Sequence, residues 1–478
     1  MEDYAEDLRE KLLTIESESG IFEWKVAGIR LWQYMRWFCL VEIIHDITGL
    51  AERSYIRKNE GIQKEAMRIG EWVRRQQFFL SSKDLVVLNH PRRVKAGAYY
   101  RCFVTETLLE NLDCSYYVFE DEYYGKHFKP TKTKNLKYID MDVIRKAFKL
   151  RNEDTDREIR VFYNRVMRIF ENDNGIRLSA QTKKRILDYL IRKYYEIRYR
   201  TIWAKIVFSL VRPKALIVTS PFSPDAQAVI VEAKRRNIAT IELQHGICPS
   251  HIAYNYLYQG KVDIFPDYLF VYGKFDRDIP RYPVDRKRII PVGYPDLEQK
   301  AEFYKKLKKD GQKVLLFISS DEGTTVPEYA VELRKRQELK DIRMIYKLHP
   351  DEYAKWKSTY PQLVNSGLEI ISENRHDIYY YLGHSDYVVG TSSTALYEAS
   401  AFQTDIYIIR GGDYRMSRVL YENGYAQLVT DVDMLAEKIL HPVVDRKNTK
   451  SYFEKNAIAN MKRELDKIMN CKSIPSSE

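Results

Sequence analysis

Short continuous apolar runs, each closed by a polar or glycine-bearing turn, recur along most of the chain. The first is Asp84-Leu-Val-Val-Leu-Asn89, followed by the loop His90-Pro-Arg-Arg-Val94. A stretch of helical character then extends through Leu109, and a second run covers Tyr116–Phe119. Runs at Ala215–Ser220, Ala239–Leu243, Tyr268–Tyr272 and Arg288–Gly293 continue the series. A second series covers Lys313–Ser319, Arg343–Lys347, Leu368–Ser372, Asp386–Gly390 and Thr404–Ile409. Buried strands alternating with helical segments predict parallel α/β sheets. The charged helical stretch Asp296–Gly311 carries no strand pattern and reads as the boundary between two doubly wound domains, with a ligand cleft between them.

Helical spacing dominates elsewhere. Residues 1–80 read as a helical segment without strands, residues 81–296 as the first domain with a helical insertion at 141–212, and residues 297–478 as the second domain with a C-terminal helix. The aromatic stripe Trp24, Trp32, Trp37 and Phe38 fits packing on its own domain, with an interfacial helix as the competing reading. A second aromatic and basic stretch, 181–214, holds ten Lys or Arg with Tyr189, Tyr194, Tyr195, Tyr199, Trp203 and Phe208. It fits either a packed helix with a solvated basic face or a helix lying on an anionic membrane surface.

Composition narrows the setting. Over 478 residues, 45% hydrophobic and 30% charged content provides for a large core. The net charge of +11 suits phosphorylated or membrane-surface partners, but the basic residues form no recognised nucleic-acid module. The 37 tyrosines suit wet clefts and interfaces as well as plain packing. The five cysteines, Cys39, Cys102, Cys114, Cys248 and Cys471, form no CxxC pair, which fits reduced thiols. Seven acids against two bases in the first twenty residues are the reverse of a signal peptide. The longest apolar stretch, Phe22–Ile44, is broken by Lys25, Arg30, Arg36 and Glu42. A cytoplasmic protein is expected, with a peripheral position on the inner membrane face as an option.

Ligands of doubly wound sheets sit beyond the carboxyl ends of the strands, which selects four loops. In Gln244-His-Gly-Ile-Cys-Pro-Ser-His251, His245 follows a buried strand, Gly246 permits a sharp turn, and the imidazole is placed to take a proton; a strand-capping histidine is the plain alternative. In Lys347-Leu-His-Pro350, His349 leaves a strand end and suits a phosphate, or serves a structural turn. In Gly390-Thr-Ser-Ser-Thr394, the hydroxyls of Ser392, Ser393 and Thr394 meet a helix start, where phosphate binding competes with ordinary capping. In Ser320-Asp-Glu-Gly323, Asp321 and Glu322 fit a base, a ribose ligand or helix-start acids, and Ser320 and Gly323 complete the loop. No acidic pair ends a strand with DxD spacing and no His/Cys cluster has metal spacing, so no metal and no cofactor are expected.

The order Gln-His-Gly, then Lys-Leu-His-Pro, then Gly-Thr-Ser-Ser-Thr-Ala-Leu-Tyr-Glu-Ala resembles bacterial glycosyltransferases with two Rossmann-like domains, the GT-B type. The nearest groups are capsule polysaccharide transferases, sialyl- and Kdo-transferases, and the CDP-glycerol glycerophosphotransferases of teichoic acid synthesis. The resemblance spans about residues 84–440. It implies that His349, Ser392, Ser393 and Thr394 grip the donor phosphate, with Ser320, Asp321, Glu322, Gly323 and Lys347 lining the donor loop. It also implies His245 as base. The Asp/Glu-Asp/Glu-Gly base motif of bacterial sialyltransferases lies in their first domain, whereas Asp321-Glu322-Gly323 opens the second here. The glycerophosphotransferases carry Trp-His-Gly where this chain has Gln244-His245-Gly246, which points toward a sugar donor.

The expectation is an inverting, metal-independent transferase. It moves a sugar from a nucleotide-activated donor, CMP-linked by resemblance, to a surface-polysaccharide or lipid-linked glycan, with His90, Arg92 and Arg93 on the acceptor side. A sugar-nucleotide 2-epimerase, needing first-domain carboxylates such as Glu120 and Asp225, and a CDP-glycerol-type polyol-phosphate transferase remain as alternatives.

Overall fold

The computed structural model describes residues 2–49, 80–123, 126–139, 141–220, 222–247, 251–306, 311–319, 323–373, 375–402, 404–442 and 451–470. The chain divides into two compact units. One comprises Met1–Val271, Arg277–Ile290 and Ile458–Glu478, and the other Tyr272–Asp276 and Pro291–Ala457.

The first unit is built on a seven-stranded sheet. Its strands are β1 (Leu85–Leu88), β2 (Tyr116–Glu120), β3 (Leu136–Tyr138), β4 (Ala215–Val218), β5 (Ala239–Leu243), β6 (Tyr268–Val271) and β7 (Ile289–Pro291). Their spatial order is β3-β2-β1-β4-β5-β6-β7. Strands β1 to β6 pair in parallel. Every residue of β1, β2, β4 and β5 is buried, as expected of strands covered on both faces.

The second unit repeats the plan with β8 (Val314–Ile318), β9 (Arg343–Lys347), β10 (Glu369–Ile371), β11 (Tyr387–Gly390), β12 (Asp405–Ile409) and β13 (Gln427–Val429). Its order is β10-β9-β8-β11-β12-β13, all parallel. Both sheets therefore follow the doubly wound order 3-2-1-4-5-6, the first with one strand appended, and each reverses direction beside its first strand. The α/β class with two Rossmann-like sheets is as the sequence pattern predicts. Strands β3 and β13 escape that pattern because each is a three-residue edge strand, largely half-buried.

Helices close the first unit. Among them are α1 (Glu2–Glu18), α2 (Leu31–Thr48), α3 (Ala180–Val211) and α4 (Pro224–Lys234). The C-terminal part of α3 lays Trp203, Ala204, Val207, Phe208 and Val211 on the sheet against Val86, Phe119, Leu216 and Val218. Its N-terminal part carries Ile186, Tyr189, Leu190 and Tyr194 into a core shared with α1 and α2. The rings of Tyr189, Tyr194, Tyr195, Trp203 and Phe208 are buried. They form no aromatic belt for a membrane surface, and of the two readings of this stretch the packed helix is the correct one. Four of its bases are also engaged, Lys183 with Glu171, Arg185 with Glu42, Lys193 with Glu196 and Asp225, and Arg200 with Asp121. Among the described residues, no helix is long and apolar enough to cross a membrane.

The helical front also contains a small antiparallel hairpin, Lys25–Val26 with Ile29–Arg30, where no strand is expected from the sequence. From α2, Arg36 reaches under the segment that follows β5. Its guanidinium is clasped by Glu16, with Nε at 3.0 and 3.1 Å from the two carboxylate oxygens. It also donates to the carbonyls of Ile252 (3.2 Å) and Asn255 (2.9 Å). Trp32 Nε1 adds a bond of 2.9 Å to Glu16. Both side chains are almost wholly buried. An unpaired guanidinium there is costly, because burial removes the water that would solvate it.

Glu16→Gln should therefore destabilise the protein by about 3–5 kcal/mol, as for the breaking of a buried ion pair. Urea unfolding followed by circular dichroism checks this, and a loss below about 1 kcal/mol, the scale of an exposed pair, would contradict the clasp.

Candidate functional site

In the first sheet the strand order reverses between β1 and β4, so the loops leaving these strands diverge and open a crevice at their carboxyl ends. After β1, Asn89 and Arg93 turn inward. Asn89 Nδ2 donates to Glu120 at 2.6 Å, and its Oδ1 accepts from Thr105 at 2.6 Å. The Arg93 guanidinium donates to Glu120 (2.7 Å), Glu106 (2.6 Å) and Thr133 (3.0 Å), and its side chain is fully buried. Arg93, expected on the acceptor side, thus locks the β1 and β2 loops together and has no face toward a ligand. Arg92 is exposed.

His90 lies between them, half-buried. Its Nδ1 accepts from the Arg92 N–H at 3.1 Å, which places the proton of the neutral ring on Nε2. Burial, helped by the Arg92 charge, pushes its pKa down to about 4. His245 leaves β5 and faces His90, with ring centroids 5.4 Å apart. Burial holds its pKa well below the ordinary histidine value, and His90 and His251 add to the effect. Its Nδ1 is shut off from solvent and has no hydrogen-bond partner among the described residues. Among the described residues no carboxylate orients this ring.

The turn at His245 is held differently from the sequence expectation. A side chain at Gly246 would meet nothing within 4 Å, and the backbone there is not left-handed. Instead Gln244 is buried, and its Nε2 donates to the Gly246 carbonyl at 2.7 Å, curling the loop on itself.

Other groups at this edge escaped the sequence reading. Phe222, from the loop after β4, lies 5.5 Å from both His245 and His251. Trp37, from α2, lies 4.8 Å from Phe222. Behind them Glu242 of β5 is buried beneath Tyr254, whose hydroxyl donates to it at 2.5 Å, and burial pushes its pKa up to about 8. The helical periodicity of α2 was visible, but nothing in it announced a partner 185 positions away.

The second sheet reverses between β8 and β11. Lys347, at the end of β9, is buried and donates to the Leu348 carbonyl (3.0 Å) and the Tyr353 hydroxyl. Burial lowers its pKa to about 8 against the pull of Glu352. His349 caps the following turn. Its Nδ1 accepts from the Asp351 N–H at 3.3 Å, so the neutral ring carries its proton on Nε2. Glu352, fully buried, accepts from the His349 N–H (2.5 Å), Ser319 (2.8 Å) and Tyr360 (2.5 Å). Its position three residues after His349 is capping-box spacing, a signal in the sequence that singles it out.

Beside β8, Gly390 ends β11 where a Cβ would stand 3.2 Å from the Ile318 carbonyl, a tight contact that glycine avoids. Thr391 is buried, Ser392 and Ser393 are half-buried, and Thr394 is exposed. Ser393 caps α5 (Thr394–Ala399), accepting from the Ala395 N–H at 3.3 Å. Helix α5 has only six residues, so its dipole adds little beyond the first-turn N–H groups. Ser320, Asp321 and Glu322 lie outside the described residues; Gly323, where description resumes, holds a left-handed φ of 71°. Among the described residues no three His, Cys, Asp or Glu side chains come together to hold a metal.

No protein-family model and no curated protein matches the chain. Solved structures do. The UDP-GlcNAc 2-epimerase of Methanocaldococcus jannaschii superposes with a TM-score of 0.50 at 13% identity, over 80% of this chain and 98% of the other. The two Rossmann-like units are of the GT-B type. The Neisseria meningitidis UDP-GlcNAc 2-epimerase bound to UDP-GlcNAc gives 0.49 at 15% identity, over 80% and 99%. The wall teichoic acid polymerase TagF gives 0.40 at 12%, over 80% and 88%. These likenesses concern the fold.

The depressed His90 makes a directional prediction. The unfolded chain takes up a proton near pH 6.5, which the folded ring refuses until about pH 4. Stability should therefore fall as pH drops through that window, because the unfolded state binds more protons. His90→Gln should flatten this slope in thermal melts between pH 4 and 7, and an unchanged slope would show that His90 titrates normally.

Proposed function

We propose that the chain is an inverting glycosyltransferase. It moves a sugar from a nucleotide-activated donor, CMP-linked by the motif resemblance, to a hydroxyl of a surface-polysaccharide or lipid-linked glycan. The observation that carries this reading is that each sheet presents an imidazole at its carboxyl edge within one strand of the point of strand reversal: His245 with His90 in the first, His349 in the second.

In this mechanism the acceptor oxygen forms a bond to the anomeric carbon as the bond from that carbon to the donor phosphate breaks. The hydroxyl proton passes to His245, which its surroundings hold neutral and able to accept. The departing phosphate gains charge. The Nε2–H of His349, the hydroxyls of Ser392 and Ser393 and the exposed Thr394 hydroxyl are the donors assigned to meet it. The lipid-linked form of the acceptor would bring the enzyme to the inner membrane face without any part played by the buried rings of α3.

The epimerase reading is favoured by the fold likeness to the archaeal epimerase. It calls on first-unit carboxylates, and those here are engaged: Glu120 by Arg93 and Asn89, Asp225 by Lys193. Incubation with UDP-GlcNAc alone separates the readings, since an epimerase converts it without an acceptor. A polyol-phosphate transferase would instead turn over CDP-glycerol.

A thermal-shift panel of CMP, CDP, UDP and GDP tests nucleotide binding. A bound nucleotide at 100 times its dissociation constant adds about 2.7 kcal/mol. His349→Ala and Ser393→Ala should each weaken the best nucleotide by about 1–3 kcal/mol, as for hydrogen bonds to a charged group. Unchanged affinity in both would place the phosphate elsewhere.

His245→Ala should lower turnover about a hundredfold or more while nucleotide affinity holds. With the His245 pKa depressed, the neutral base persists below pH 6.5, so the acid limb of kcat/KM should lie under that value. An acid limb above pH 7, or near-wild-type turnover in the folded variant, removes His245 from the mechanism.

A further inference from the structure

Six half-buried residues with ring side chains run as a continuous strip along the carboxyl edge of the first sheet. Phe103 lies 6.4 Å from His90, His90 5.4 Å from His245, and His245 5.5 Å from Phe222. Phe222 in turn lies 4.8 Å from Trp37 and 5.5 Å from His251, and Trp37 is 6.3 Å from His251. The rings come from separate parts of the chain: α2, the loops after β1, β4 and β5, and the segments at 103 and 251. Tyr254, directly behind the strip, is buried, and Trp37 and Phe222 pack against the same core while staying half-buried. These six stay partly open.

The charges around the strip are spent on one another. Arg93 is taken by Glu106 and Glu120, Arg200 by Asp121, Lys193 by Asp225, and Arg36 by Glu16. Exposed Arg92, at one end, is the exception among these side chains. Surroundings so neutralised give no purchase to an anionic ligand. Ring faces instead suit the C–H faces of a pyranose, and a few convergent polar atoms suit its hydroxyls. One ring would hold a single sugar; a row of them fits a chain.

We propose that this strip is the acceptor subsite and that it binds an uncharged oligosaccharide of at least two sugar units, with Trp37 and Phe222 as its stacking platforms. The proposal rests on the glycosyltransferase reading and deepens it, because it assigns the acceptor class and brings the N-terminal helices into the site.

The test uses the full chain on a glycan array carrying neutral oligosaccharides of one to six residues beside sialylated and phosphorylated counterparts. Neutral chains of two or more residues should be retained. Trp37→Ala and Phe222→Ala should each weaken retention at least tenfold, while Trp37→Phe keeps most of it. Thermal shifts with the nucleotide panel should be unchanged in all three variants, which also shows that they fold; if Trp37→Ala does not, Phe222→Ala decides. Retention confined to anionic glycans, retention of none, or wild-type retention in the folded alanine variants would overturn the proposal. The two readings fail separately. Loss of glycan retention in the alanine variants of a protein that binds no nucleotide sinks the transferase and leaves the strip standing. Normal nucleotide binding without glycan retention does the reverse.

Discussion

The clasp of Arg36 by Glu16 is the contact on which the first unit's functional edge depends. A guanidinium without water must find acceptors for its donors, and this one finds a carboxylate and two backbone carbonyls. Because those carbonyls belong to Ile252 and Asn255, satisfying Arg36 also fixes the segment that carries His251 and Tyr254. Because Arg36 sits on α2, the same bonds set Trp37 beside Phe222. The stacking of Arg36 over Tyr256, 4.0 Å from the ring centroid, extends the hold by one more residue. A helical front outside the family resemblance is in this way joined to the crevice of a doubly wound sheet.

Much of the architecture was legible because a strand buried on both faces must be apolar throughout. The sequences of β1, β4 and β8 therefore read unambiguously. Edge strands have no such obligation, and Leu136–Tyr138 and Gln427–Val429 look like loop. The candidate site was readable to the extent that chain order places loops at strand ends. What order cannot show is which way a side chain turns. Arg93 and His90 share one loop, yet the first is swallowed by carboxylates 13 and 27 positions further on, and the second stays at the surface of the crevice. The same limit explains Gly246, where the restraint lies in the preceding glutamine.

The two sheets differ in the chemistry at their carboxyl edges. In the first, burial and neighbouring bases keep the imidazoles His90 and His245 uncharged. In the second, the carboxyl group of Glu352 gathers Ser319, Tyr360 and the backbone of His349, so the strand-end loops there are organised around a buried acceptor.

The span of the Arg36 clasp has a consequence for how the chain is made. Its two ends are separated by 216 and 219 residues. On a ribosome the N-terminal helices emerge first, and they wait with an apolar face uncovered until β5 and the segment after it have been synthesised. Contacts of such long range cost loop-closure entropy before they return any stability, so they form late. The strip of rings is therefore among the last parts of the first unit to be completed, and the nascent front needs protection from aggregation in the interval.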